Sequence, residues 1–355
     1  MKVEFLATGD SEDCGIAMYT TSLQETLDIE SARSPVKLRS LDLPHYVCQA
    51  MKAATTDADV VHVQHEYGIY GPKSVTSWFV FPILWLIATI RGRPIVVTFH
   101  SAWNDETIDP PLYELKRLYV GLNDRLLAAV ADYAIFLSED TREAFERTVS
   151  LETVEVLPHG VQTDVRPMPQ AEAKRQFDCD PDELLVTEPG YVRPEKGYDR
   201  FLDIADRVDD ARFLVGGGPQ GDNHPEYFEG LRDRCSDAGV RVTGVLDEDD
   251  FHALFNAMDL ALLPYDAVSQ SGIVNWCLAY EVPIVTTDLE RFRTLESEFG
   301  FPRTFPADDA DAGASAVQQV LNDSHRVLKA MRDYREENAM DAIAERHEEV
   351  YRAVA

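Results

Sequence analysis

Cysteine is scarce in this chain: the five residues Cys14, Cys48, Cys179, Cys235 and Cys277 contain no C-x-x-C pair. That spacing argues against a zinc knuckle and a disulfide framework, and it fits a reducing compartment. Lysine is scarcer still, 8 of the 33 basic residues, against 63 acidic residues and a formal charge of −30. Such a charge opposes binding to the polyanionic backbone of nucleic acid. Asp outnumbers Glu 35 to 28, a bias that keeps a surface hydrated in concentrated salt, where charges are screened within ~3 Å at 1 M. A halophilic host with an acidic proteome is the expectation. Long apolar runs are lacking too. The most prominent run, VTSWFVFPILWLIATI at 75–90, is interrupted by Pro82 and falls short of the ~20 residues that span a bilayer. It reads as a buried or half-buried helix of the first domain, with peripheral contact to a membrane or a lipid-linked substrate, from Trp78 to Ile90, as the alternative reading. The opening MKVEFLATGDSED has neither the apolar core nor the cleavage pattern of a signal peptide, so a cytoplasmic location is expected, at the inner membrane face if that patch is used.

What is present is a folding composition: 355 residues, 45% hydrophobic and 10% aromatic, enough for two domains with a core each. Short apolar runs alternate with helix-period segments along nearly the whole length, the pattern of parallel sheets with crossover helices, so the fold class is α/β. Strands are predicted at 3–7, 60–64, 95–99, 133–137 and 154–157, then at 184–187, 212–215, 240–242, 260–263 and 284–286. Between the two series lies HGVQTDVRPMPQAEAKRQF at 159–177, a polar linker in which Gly160, Pro167 and Pro169 break regular structure. Two charged helices close the chain over 323–355. No internal repeat stands out. In such folds ligands lie beyond the carboxyl ends of strands.

Several motifs sit at those ends. GGGPQG at 216–221 matches G-x-G-x-x-G in form, but Pro219 and the polar residues after it delay the helix that a dinucleotide fingerprint opens at once, so it reads as a turn close to some ligand. EPGYVRPEKG at 188–197 places the planar fork of Arg193 three residues from the point charge of Lys196, a pairing suited to a diphosphate; the alternative is surface ion pairing with Glu195 or Asp199. PYDAVSQSGI at 264–273 follows a strand and opens a helix that Ser269 or Ser271 caps, making an anion site around Gly272 and Ile273 or an ordinary capped helix. Gly15 follows the first strand through a polar loop and lets backbone approach a ligand. His62, His65 and Glu66 end another strand; residues 62 and 65 face opposite sides of it, which argues against a metal and for polar cleft lining. His100 ends PIVVTFH, placed to orient a sugar hydroxyl or to bond backbone.

Taken together, CGIAMYTTSL, DVVHVQHEYGIYG, RPIVVTFH, VEVLPHGV, GYVRPEKGYDRFLDIA, ARFLVGGGPQG, VRVTGVLDEDDFHALFNAMDLALLPY and SQSGIVNWCLAYEVPIV resemble, in order, the family 4 glycosyltransferases, specifically the branch with a QHE motif. The resemblance implies a GT-B fold, two Rossmann-like domains facing a cleft: 1–165 on the acceptor side, 166–337 on the donor side, and a final helix, about 338–355, returning to the first. It implies a retaining hexose transfer from a nucleotide-diphosphate sugar to a glycan, glycolipid or lipid-linked acceptor, with no metal and no cofactor. On this resemblance Arg193 and Lys196 are the diphosphate cations, Ser271, Gly272 and Ile273 the helix start beneath the same phosphates, and Val245 and Leu246 the backbone contacts to the base. Gly15 and Ile16 are the glycine loop, His100 the sugar-facing histidine, and His65 and Glu66 lie on the acceptor side.

Two departures stand out. The Glu-x7-Glu pair common in the family is absent, and Trp276 occupies the position of the second acid, which puts ribose binding in question. Arg193 also stands two residues later than the arginine of the common G-R form. A non-catalytic sugar-nucleotide binding protein and a nucleotide-sugar isomerase on the same architecture are the alternative functions.

Overall fold

The computed structural model describes residues 1–9, 14–38, 40–103, 108, 111–161, 165–221, 224–267 and 271–355. The chain divides into two compact units, one made of Met1–Gly160 with Met340–Ala355 and the other of Val161–Ala339. That division falls ahead of the expected 165/166 boundary.

The first unit runs β1 (Lys2–Thr8), α1 (Gly15–Thr26), β2 (Glu30–Val36), α2 (Leu43–Thr55), β3 (Val60–His65), α3 (Ser77–Ile90), β4 (Ile95–Phe99), α4 (Tyr113–Val130), β5 (Tyr133–Phe136), α5 (Glu139–Glu146) and β6 (Val154–Val156). The second runs α6 (Gln170–Gln176), β7 (Leu184–Pro189), α7 (Tyr198–Ala205), β8 (Ala211–Gly216), α8 (Pro225–Asp237), β9 (Arg241–Val242), α9 (Glu248–Ala257) and β10 (Leu260–Leu263). It continues through α10 (Gly272–Tyr280), β11 (Ile284–Thr287), α11 (Glu290–Phe299), β12 (Arg303–Phe305), α12 (Ala310–Asn322) and α13 (His325–Glu337). The last helix, α14 (Met340–Val354), belongs to the first unit.

Each unit carries one six-stranded sheet, ordered β2-β1-β3-β4-β5-β6 and β12-β11-β10-β7-β8-β9, and every pairing is parallel. Strand order reverses between β1 and β3 in one sheet and between β7 and β10 in the other, the crevices where such folds bind ligands. The central strands are buried on both faces, as helices on both sides require: every residue of Val60–His65 and Ile95–Phe99 is buried, the polar His62, Gln64, His65 and Thr98 included.

Three sequence expectations need correction. Neither β2 nor β12 was predicted. Both are edge strands, which need no apolar second face, and β2 reads ESARSPV, with Pro35 tolerated because an edge leaves one side of the ladder unpaired. The linker 159–177 is not irregular throughout: once Pro169 sets the start, Gln170–Gln176 forms a short helix, α6, whose Ala173 is buried.

Helix α14 is tied to its unit from within. The Tyr351 hydroxyl bonds His62 Nδ1 at 2.6 Å, Thr98 Oγ1 bonds His62 Nε2 at 2.7 Å, and the Asp28 N–H donates to Glu348 at 2.7 Å. His62 is thus a fully buried structural residue whose burial pushes its pKa well down, and it does not line a cleft.

Candidate active site

The C-terminal end of β7 sits at the reversal of strand order in the second unit. Two glycines there allow approaches that no side chain permits. Gly197 has φ +72°, and a Cβ on it would lie 1.9 Å from the Pro264 carbonyl oxygen; it lets the turn Pro194–Lys196 close on the end of β10. Gly190 has φ +95°, and a Cβ there would meet Ile273 Cδ1 at 2.8 Å and Lys196 Nζ at 3.2 Å. The start of α10 and the lysine ammonium therefore converge on one backbone position.

The Lys196 ammonium is half-buried, donates to the Pro189 carbonyl at 2.8 Å and lies 5.6 Å from the centroid of the Tyr265 ring. Loss of water pushes its pKa down to about 8, an effect partly opposed by Glu188. Glu188, the penultimate residue of β7, is fully buried with neither carboxylate oxygen hydrogen-bonded. Burial raises its pKa well above the carboxylate range, against the pull of Lys196. The site therefore holds a cation with few fixed partners, ready to exchange a carbonyl for a stronger anionic acceptor.

Ser271 caps α10, its side chain accepting from the Val274 N–H at 3.4 Å. The amides of Gly272 and Ile273 open that helix at its positive end. Ser269, the other expected cap, lies outside the described residues. On the opposite flank of β7 the glycine run after β8 packs closely: a Cβ on Gly217 would lie 2.0 Å from the Gly190 oxygen, and one on Gly218 would lie 2.5 Å from the Val245 nitrogen. Helix α8 starts only at Pro225, so this run is a packing turn and not the opening of a dinucleotide helix. Residues of separate segments, Gly190, Lys196 and Gly197, Gly217 and Gly218, Gly244 and Val245, Pro264, and Ile273, thus meet at neighbouring strand ends. Val245 is exposed, and Leu246 is packed in part against the core.

Arg193 is exposed, donates to Gln220 and lies 4.0 Å from Glu195. It stands on the rim, beside surface partners, where Lys196 is enclosed. Trp276 is packed among Phe251, His252, Phe255 and Tyr280, with ring centroids 5.4–6.3 Å away. Trp276 is thus one member of a partly buried aromatic cluster.

In the first unit His100 follows β4. Its Nε2 donates to Gln64 Oε1 at 2.6 Å, which leaves Nδ1 a lone pair, and burial holds the ring well below the usual histidine pKa. The Tyr19 ring stands edge-on to His100 at 5.3 Å and tilted against His159 at 4.6 Å. Gly15 and Ile16 open α1 in the same unit. Glu66 is half-buried, its carboxylate accepting from the Gly68 N–H at 2.6 Å. His65 requires correction. It is fully buried with both ring nitrogens unpartnered, among Tyr67, Tyr70, Phe81 and Phe99, and burial lowers its pKa to about 3. Period-two alternation on β3 turns it into the apolar layer, so it is a core residue and not part of an acceptor wall.

Sequence reading gave no role to Glu188, Tyr265, Gln64, Tyr19 or His159. A carboxylate inside the apolar strand LLVTEP was the one available signal; the others depend on contacts between distant segments. Among the described residues no group of three or more His, Cys, Asp or Glu is placed to hold a metal ion.

The doubly wound pair of parallel sheets defines a GT-B fold. Sucrose-phosphate synthase from Thermosynechococcus elongatus superposes with a TM-score of 0.72 at 16% identity, over 99% of this chain and 98% of its own. Anabaena HepE, solved in complex with UDP, gives 0.76 at 14% identity, over 99% and 100%. Residues 19–165 match the model described as Glycosyltransferase Family 4, and residues 185–323 match Glycosyl transferases group 1. The chain belongs to the family 4, or group 1, glycosyltransferases. It is 28% identical over 299 residues to the D-inositol 3-phosphate glycosyltransferase of Mycobacteroides abscessus, covering 80% of this chain and 65% of that protein. It is 25% identical over 324 residues to the lipopolysaccharide core biosynthesis mannosyltransferase LpsB of Rhizobium meliloti, covering 83% and 91%.

Proposed function

We propose that the chain transfers a hexose from a nucleotide-diphosphate sugar to a hydroxyl acceptor, a glycan, glycolipid or lipid-linked sugar, with retention at the anomeric carbon and without a metal. The observation that carries this reading is the enclosed Lys196 ammonium facing Gly190 and the start of α10 at the strand reversal. Departure of a nucleoside diphosphate builds charge on phosphate oxygens, and a fixed ammonium with helix-end amides stabilises that charge as it forms.

In this reading Lys196 and the amides of Gly272 and Ile273, with Ser271 holding the helix start, take the diphosphate, and Arg193 reaches it from the rim. Val245 and Leu246 offer backbone to the base, and Gly15 with Ile16 the glycine loop. His100 orients a sugar hydroxyl through its Nδ1, and Glu66 stands on the acceptor side. The acceptor hydroxyl attacks on the face the leaving group vacates and loses its proton to the departing phosphate, which gives retention with no protein nucleophile. The complexes of HepE with UDP and UDP-glucose, and the transferase names of the sequence relatives, support a nucleotide-sugar donor.

Purified protein incubated with a panel of nucleotide sugars tests the proposal. Transfer to an added acceptor, or slow donor hydrolysis releasing the nucleoside diphosphate, is the expected result. Conversion of the donor to an isomer with no acceptor present, or binding without turnover, would overturn it in favour of an isomerase or a binding protein.

A further inference from the structure

Helix α3 buries one side, through Val80, Phe81, Leu84 and Ala88, and leaves the other in solvent. On the exposed side Trp78, Phe79, Trp85, Leu86 and Ile90 are 36%, 55%, 45%, 53% and 76% exposed. Their spacings of seven (Trp78 to Trp85, Phe79 to Leu86) and four (Leu86 to Ile90) make one continuous stripe. Helix α4 carries a second stripe, Leu115, Leu118 and Leu122, at 60%, 57% and 44% exposure. The two helices pack together; the Trp78 and Tyr119 rings lie 6.3 Å apart, and the Tyr119 hydroxyl donates to the Lys73 carbonyl at 2.8 Å. The stripes are therefore one face. A contiguous apolar face of this kind marks an interaction surface.

Charge identifies the occupant. In a chain of net charge −30, no acidic residue occurs between Glu66 and Asp105, whereas Lys73 and Arg91 flank the α3 stripe at its two ends, exposed; at the start of α4 the exposed Glu114 is outnumbered by Lys116 and Arg117. A second copy seated on the same patch about a two-fold axis would set cation against cation, Lys73 facing Arg91 of the copy where the axis crosses the helix. An anionic lipid surface takes apolar side chains, indole rings and flanking cations together. Among the described residues no helix is long and apolar enough to cross a membrane, so α3 would lie along the surface. We propose that the α3–α4 face docks on an anionic lipid bilayer, its α3 stripe entering the headgroup boundary and Lys73 and Arg91 meeting lipid phosphates. The inference does not depend on the reaction proposed above.

Flotation of the whole chain with two kinds of vesicle tests it, one of equal parts phosphatidylglycerol and phosphatidylcholine, the other of phosphatidylcholine alone, in about 0.5 M salt, where a screening length of ~4 Å damps the net charge and spares contact pairs between the two cations and lipid phosphates. The wild type is expected to float with the mixed vesicles and at least several-fold less with the neutral ones. Trp85→Ser with Leu86→Ser, both solvent-facing, is expected to lower that binding at least tenfold with an unchanged Tm. Lys73→Gln with Arg91→Gln is expected to reduce the preference for the anionic vesicles. Absence of flotation, equal flotation with both lipids, or equal flotation of the Trp85/Leu86 variant overturns the proposal. So does a wild-type dimer in light scattering that the same variant turns into a monomer, which would give the face to a second copy.

Discussion

Replacing Lys196 by Met removes the ammonium and keeps most of the apolar stem. A unit charge ~4 Å from a phosphate oxygen, at an effective dielectric near 20, is worth about 4 kcal/mol. Part of that is already present with bound ground-state diphosphate, and a share of about 3 kcal/mol that grows as the leaving group departs corresponds to roughly 10²-fold in rate. A fall of about 10² in kcat is therefore expected in a donor-hydrolysis or transfer assay, and a larger one in kcat/KM, which also loses the ground-state share. The pH profile carries a second signature. With the ammonium pushed down to about 8, kcat/KM of the wild type falls as pH rises through that value, and the variant lacks this limb. Stability moves the opposite way to activity. A lysine whose folded pKa lies below its unfolded 10.5 penalises the fold fully below about pH 8, and the penalty fades as pH rises to 10.5. The Met variant is therefore expected to have an equal or higher Tm at pH 7. A kcat/KM within threefold of wild type, or a loss that tracks a lowered Tm, would refute the reasoning.

Other perturbations probe the same architecture. Gly197→Ala forces a Cβ to within 1.9 Å of the Pro264 oxygen at a positive φ; a loss of at least about 2 kcal/mol in denaturant unfolding is expected, together with weakened nucleotide binding, and a neutral outcome would mean the turn is not held against β10. Glu188→Gln removes the group that opposes the lowering of the Lys196 pKa, so the alkaline limb of kcat/KM should move to lower pH; a limb that moves up or stays would separate the two residues. Lowering salt from about 1 M to about 0.1 M lengthens screening from ~3 Å to ~10 Å, and with a charge of −30 the Tm should drop. A salt-independent Tm in calorimetry would remove the halophilic reading.

The residues that were legible from sequence are those whose meaning is local. Central parallel strands such as IVVTF are β-branched and largely apolar and follow polar turns, so they stand out. The edge strands ESARSPV and RTF do not, because their character comes from a neighbour on one side only. Lys196, Gly272 and Ile273 were legible because a cation in a glycine-bounded turn and a helix start after a strand carry their chemistry in short segments. Glu188 lay inside a quoted motif, yet its isolation depends on Tyr198, whose own hydroxyl is buried without a partner, and on Tyr265 far along the chain. His62 and His65 differ by three residues and face opposite layers, as alternation required, but both layers are closed to water, one by α14 and the other by Phe81, through contacts between distant segments. The run at 75–90 was legible as a half-buried helix; its continuation onto α4 was not, since Leu115, Leu118 and Leu122 adjoin it only through packing.

The central claim is that a diphosphate displaces the Pro189 carbonyl from Lys196 and rests against the start of α10. A crystal structure of the protein with UDP tests this most directly. Phosphate oxygens within hydrogen-bonding distance of Lys196 Nζ and the amides of Gly272 and Ile273 are the expected result. A nucleotide bound elsewhere, with Lys196 still donating to Pro189 and no phosphate beside it, would contradict the account.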